Sequence, residues 1–265
     1  MTINQRGDIL MTKSIMVKHI KIGEGIPKVC VPITGTKLED IISQTEMITT
    51  KEPDLVEWRV DFFDEVMHFE AVEQALCEIV QRLNKIPLIF TFRTKAEGGE
   101  RGIGIVDYID LNLQVASTKL VDLIDLELLT CGDGIDEVTE EIQYTGTKVV
   151  ASYHNFDETP AGKEIIDIMQ QMADANADIL KVAVMPKAEA DVDTLIDATF
   201  AMRAKTDKPL VALSMGERGV RTRISAEAFG SAITFASVGK ASAPGQVEFD
   251  KLKNNLQEVH RNLQQ

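Results

Sequence analysis

A lysine stands inside an almost unbroken apolar run, Ile179-Leu180-Lys181-Val182-Ala183-Val184. Loss of hydration in such a run disfavours the charged form of a lysine, and nearby cations such as Arg59 or Arg223 would push the same way. A neutral amine is a nucleophile toward ketones and aldehydes, so Lys181 is a candidate Schiff-base former. The structural reading beside it is a lysine that ends a strand and reaches solvent, or one paired with Asp125 or Glu127. Of the four histidines, only His154, in Ala151-Ser152-Tyr153-His154-Asn155-Phe156, ends a strand-like run. An imidazole there suits proton transfer near neutral pH. His19, His68 and His260 fall in a hairpin, before a helix and in the last helix, and read as structural or exposed.

Further polar residues interrupt apolar runs. Glu57 and Arg59 share one face of a strand whose other face carries Val56, Trp58 and Val60. Arg93 follows Phe90-Thr91-Phe92, Asp125 and Glu127 share a face, and Ser214-Met215 closes another run. Each buried charge costs several kcal/mol unless it is paired, so this many inward charges ask for a functional reason. Two late segments, 216–223 and 239–246, read as mobile, anion-binding loops, in which an arginine can hold a carboxylate with two parallel bonds. One inward histidine and scattered carboxylates argue against a zinc or magnesium site.

Strands must position these groups. Eight short apolar segments recur: 29–33, 55–60, 88–92, 120–127, 148–153, 179–184, 210–214 and 232–238. Near-continuous apolarity suits parallel strands buried on both faces. Helical periodicity fills the gaps at 38–50, 69–83, 108–117, 134–144, 161–175, 191–205 and 226–231, and 249–263 reads as the last helix. This spacing predicts a (β/α)8 TIM barrel, with the polar residues at the C-terminal ends of its strands. A doubly wound sheet is the alternative, but Val31-Pro32-Ile33-Thr34-Gly35-Thr36 is not its glycine fingerprint. Residues 14–27 alternate and predict a β-hairpin closing the N-terminal end of the barrel. Residues 1–12 read as a disordered extension, and 13–265 as a single catalytic domain.

Composition sets limits. The 265-residue chain has 44% apolar and 26% charged residues and a formal net charge of −14. With no basic stripe, nucleic acid or an anionic membrane is not the expected partner. No run approaches the roughly 18 apolar residues of a membrane span, and no signal peptide is evident, so a cytoplasmic location is expected. Cys30, Cys77 and Cys131 are far apart and read as reduced core or loop thiols.

Together, Glu57-Trp58-Arg59, Phe92-Arg93 with Glu97-Gly98-Gly99-Glu100, Ser152-Tyr153-His154-Asn155-Phe156, Lys181-Val182-Ala183 and Ala241-Ser242-Ala243-Pro244-Gly245-Gln246 resemble the type I 3-dehydroquinate dehydratases. The order and spacing of these short motifs carry the resemblance, over about residues 15–265. It implies a (β/α)8 barrel, a homodimer, and loss of water from 3-dehydroquinate to give 3-dehydroshikimate without metal or organic cofactor. By the same resemblance, Lys181 forms the imine and His154 acts as base and then acid, with Glu97 orienting it. Glu57, Arg59 and Arg93 hold the ring hydroxyls, Arg223 binds the carboxylate, Ser242 and Gln246 close over the substrate, and Met215 packs on the ring. Asp125, Glu127 and Lys240 would have supporting roles. Two other readings stay open: a Schiff-base aldolase of the same fold, and a non-catalytic barrel that binds sugar acids with an unreactive Lys181.

Overall fold

Runs that are apolar on both faces cannot lie at a surface, and each of the eight becomes a parallel strand enclosed by helices. The structure is a computed structural model that describes residues 13–239 and 242–265. The expected extension at 1–12 and the supporting role of Lys240 lie outside the described residues. An antiparallel hairpin of β1 (Ile15–Val17) and β2 (Ile20–Ile22) comes first. It is followed by β3 (Lys28–Ile33), α1 (Leu38–Thr49), β4 (Leu55–Arg59), α2 (Phe69–Leu83), β5 (Leu88–Thr91), α3 (Ile105–Thr118) and β6 (Leu123–Glu127). Short α4 (Leu128–Cys131) and α5 (Ile135–Tyr144) lead to β7 (Lys148–Asn155), α6 (Gly162–Asp174), β8 (Ile179–Val184), α7 (Glu189–Arg203) and β9 (Leu210–Ser214). The chain continues through α8 (Val220–Ile224), α9 (Ala226–Phe229), β10 (Ile233–Ser237), β11 (Val247–Glu248) and α10 (Phe249–Leu263).

Strands β3 to β9 pair in sequence order and in parallel, and β10 pairs with β3. The Ala232 N–H donates to the Leu210 carbonyl at 2.7 Å, and Ser231 bridges to Leu210, so the β9 edge meets the approach to β10 and the ring closes. This is the (β/α)8 barrel the spacing predicts; a doubly wound sheet would need its strand order to reverse.

Alternation along the strands separates two cores. Val56, Trp58, Phe90, Ile124 and Val182 face the helices, and α2 turns Val72, Leu76, Ile79 and Leu83 toward that outer core on one stripe. Inside the barrel, Cys30, Leu55, Ile89, Leu123, Val150 and Ile179 pack with Val17, Ile20 and Ile22 of the hairpin. The hairpin therefore closes the N-terminal end with apolar side chains. Each such burial is worth roughly 1.5–3 kcal/mol, so the bottom half is a packed base for the polar half above it.

Some boundaries depart from expectation, with consequences for the site. Strand β7 runs to Asn155, which puts His154 within the ladder opposite Ala183. Residues 220–224 are not a mobile loop but helix α8, and Arg223 on it is only 2% exposed. The apolar residues Val220 and Ile224 pack on the outer core and carry that short helix down onto the barrel. Among the thiols, Cys30 and Cys131 are buried, whereas Cys77 is exposed on α2.

Candidate active site

The C-terminal strand ends open into a cleft of about 530 Å³, lined by Glu57, Arg59, Arg93, His154, Lys181, Met215, Arg223, Ser242 and Gln246. The tenth candidate, Glu97, is buried behind His154. Barrel geometry explains the convergence: inward positions of neighbouring strands lie side by side, with Thr91 in register with Asp125 and Ser152 with Lys181.

Lys181 is 5% exposed. Its Nζ lies 2.9 Å from Asp125 Oδ2, 3.4 Å from Glu57 Oε1 and 4.8 Å from the centre of the Phe235 ring. Its direct partners are thus two carboxylates and an aromatic face, and no arginine is among them. Of the pairings open on sequence, the one with Asp125 is made. Glu127 instead accepts from Arg93 Nη1 at 2.9 Å, from the Thr94 N–H and hydroxyl, each at 2.7 Å, and from the Thr130 hydroxyl at 2.6 Å.

Arg93 is the hub of this wall. Nη2 donates to Asp125 Oδ1 at 2.8 Å, and Nη1 reaches Glu127, Ser152 Oγ at 3.1 Å and Glu97 Oε2 at 3.5 Å. Burial alone would favour the neutral form of Arg93, but three surrounding carboxylates outweigh it and push its pKa up. Burial would likewise raise Asp125, yet Arg93 and Lys181 hold its carboxyl well below the usual range.

His154 and Glu97 form a second unit. Glu97 Oε2 lies 3.0 Å from His154 Nδ1 and accepts the His154 backbone N–H at 2.9 Å. Burial disfavours the charged form of both: it pushes the Glu97 carboxyl up to about 8 and, helped by Arg93 and Lys181, drives the His154 imidazole well below its ordinary value. With Nδ1–H donating to Glu97, Nε2 is left as a neutral base. Gly98, at φ +82°, follows Glu97, and a Cβ there would lie 2.2 Å from the Phe156 ring. Only glycine lets the Glu97 turn pack against the segment after β7.

Arg223 differs from every cation above. Its Nη2 donates to the Pro244 carbonyl at 3.2 Å, and its buried Nε has no partner among the described residues. Among the described residues no carboxylate comes within salt-bridge distance, and burial lowers its pKa to about 10, so it stays charged near neutrality. Pro244 belongs to the segment over the cleft, where Gln246 and Ser242 bond each other twice at 2.9 Å. Gly216 N–H donates to the Pro244 carbonyl at 3.2 Å, and a Cβ on Gly245 (φ +76°) would sit 2.2 Å from the Gly216 carbonyl. The two loops over the cleft touch backbone to backbone.

Sequence reasoning missed several groups. Asp61, fully buried, forks onto Arg59 with two 2.8 Å bonds, yet extending the Glu57–Arg59 alternation by one step would have found it. Leu213 and Phe235 line the cleft from inward strand positions, and Phe156 does so from beyond β7. Tyr108, whose hydroxyl bonds the Asp125 carbonyl and the Glu127 N–H, comes from an outer helix and left no local signal.

A barrel whose C-terminal mouth holds a buried lysine, an imidazole–carboxyl pair and an unpaired arginine belongs to the barrel enzymes, with a cleft suited to an anionic substrate. Comparison with known proteins narrows this. The family model for type I 3-dehydroquinase matches residues 29–262. A 3-dehydroquinate dehydratase of Clostridium botulinum is 46% identical over 96% of this chain and all of its own. The solved type I enzyme of Clostridium difficile, described with covalently modified comenic acid, is 42% identical with TM-score 0.92, over 95% of this chain and 100% of that one. The Geobacillus kaustophilus enzyme gives 34% and TM-score 0.92, over 95% and 98%. The chain belongs to the type I 3-dehydroquinases, hydro-lyases of the shikimate pathway that act on 3-dehydroquinate.

Proposed function

We propose that dehydration proceeds through a Schiff base on Lys181, with His154 as base and acid. The observation that supports this best is the meeting of Lys181 and His154, from adjacent strands, in a cleft that also holds an unpaired arginine. The Lys181 amine adds to the substrate ketone and expels water, forming an imine. The imine withdraws electrons, and His154 Nε2 removes the proton from the neighbouring carbon. The enamine pushes out the β-hydroxyl, which takes the same proton from His154 and leaves as water. Hydrolysis of the conjugated imine releases 3-dehydroshikimate and restores the amine. One water enters and two leave, so the net reaction is loss of one water.

The other residues divide the binding. Glu97 holds the Nδ1 side of His154 so that Nε2 faces the reacting carbon. Arg223 clamps the carboxylate, as a buried cation lacking a carboxylate favours an anion. Glu57, Arg59 and Arg93 receive the ring hydroxyls, Met215 packs on the ring, and Ser242 and Gln246 close above it. Asp125, bonded to both Arg93 and Lys181, keeps the amine in place. Residues 13–265 act as one catalytic unit, working as a homodimer in the cytoplasm; sedimentation at equilibrium checks the dimer.

The test is reduction with borohydride in the presence of 3-dehydroquinate, followed by mass mapping. An adduct on the Lys181 peptide is expected. Absence of any adduct there, in protein that still forms the conjugated enone by ultraviolet absorbance, would sink the Schiff-base route.

A further inference from the structure

Four cationic side chains, Arg59, Arg93, Lys181 and Arg223, line one cleft. Each could bind a ring carboxylate, so the orientation of an anionic substrate depends on which of them is already satisfied. Arg93 meets Asp125 and Glu127, and Lys181 meets Asp125 and Glu57. Among the described residues Arg59 is matched by Asp61 alone: Nε and Nη2 donate to the two carboxylate oxygens, each at 2.8 Å, in the bidentate fork an incoming carboxylate would otherwise occupy.

From this charge matching we infer that Asp61 is a specificity determinant: it fills the carboxylate-binding edge of Arg59 and so leaves Arg223 as the one docking point for a substrate carboxylate. The inference rests on the carboxylate clamp proposed for Arg223. Asp61 suits the task because it cannot turn away. It is fully buried, and its oxygens also accept the backbone N–H groups of Arg93 at 3.3 Å and Glu100 at 3.1 Å. The carboxylate stays on the Arg59 edge through every turnover, while other N–H groups of the guanidinium remain for neutral hydroxyls. Without it, Arg59 would offer a second, wrongly placed clamp. A substrate held there would no longer bring its ketone to Lys181.

The test is titration calorimetry with cyclohexanecarboxylate, a ring carboxylate without hydroxyls, on the wild type, Arg223→Met, Asp61→Asn and Asp61→Asn/Arg223→Met. Arg223→Met is expected to weaken binding about 10- to 100-fold, the worth of one charged hydrogen-bonded contact. The double variant is expected to bind at least about tenfold more tightly than Arg223→Met, because Arg59 is freed. Structural damage at Asp61 does not create affinity, so this gain separates specificity from mere support. If Arg223→Met weakens binding and the double variant fails to recover it, the Asp61 inference is wrong and the clamp stands. If Arg223→Met binds like the wild type, the clamp itself fails. Asp61→Ser makes the same charge change with a smaller side chain, and carrying it through the same titrations guards against misfolding of the Asn variant.

Discussion

Arg93 and Arg223 are buried to nearly the same depth, 3% and 2% exposed, at the mouth of one barrel. Their surroundings are opposite. Among the described residues, Arg93 touches three carboxyl groups and a hydroxyl, whereas Arg223 touches one backbone carbonyl and keeps a buried N–H unpartnered. Burial acts on both in the same direction, but at Arg93 the carboxylates reverse it and at Arg223 nothing does. Burial by itself therefore does not mark a binding residue. Under the proposed function, the partnered charge chiefly holds a wall together and the charge lacking an ionic partner is the one that takes up a substrate anion.

That contrast can be broken at several points. The largest effect is expected on the wall that carries the chemistry. His154→Ala should lower turnover by about 10²- to 10⁴-fold while still trapping an imine at Lys181 and still binding cyclohexanecarboxylate. Rapid-quench borohydride trapping checks this, and loss of trapping would join base and nucleophile into one function. Next, Arg93→Met strands Asp125, Glu127 and Glu97 and should cost about 3–5 kcal/mol in unfolding free energy. Urea denaturation reads it directly.

Arg223→Met should leave stability within about 0.5 kcal/mol or raise it, since it removes a charge with no ionic partner. Its KM for 3-dehydroquinate should rise about 10- to 100-fold. If instead it destabilises as Arg93→Met does, the distinction between wall and clamp is lost.

The last expectation is read as a slope against pH rather than as a loss at one pH. Glu97 has its carboxyl pushed up to about 8 by burial. A raised folded value means that the stability gained with the protonated form is complete below the usual carboxylate value and fades as pH rises toward about 8. Glu97→Gln cannot ionise, so its stability relative to the wild type should rise between about pH 4.5 and pH 8. A difference that stays flat over that window would mean that Glu97 ionises in the folded protein as it does in the unfolded chain.

Much of this arrangement is legible in the chain because strand alternation is a local property. Val56, Trp58 and Val60 facing the helices put Glu57 and Arg59 inside, and the same parity applies to Asp125, Glu127 and Lys181. Runs apolar on both faces, at the spacing of one strand and one helix, called for a barrel, and the alternating start of the chain called for the hairpin beneath it. Motif order was enough to point to the family, and nine of the ten residues it singled out line one cleft, with Glu97 behind His154. Which charges meet was decided only by tertiary structure. Closing the ring sets the register between strands far apart in sequence, and that brought Asp125 to Lys181 and Glu127 to Arg93. The packing of α8 on the barrel turned Arg223 from an expected loop residue into a buried cation, and the contact of the two late loops gave it the Pro244 carbonyl. Charge type is written residue by residue, but pairing depends on distances of a few ångströms across the barrel, and only the closed fold sets those.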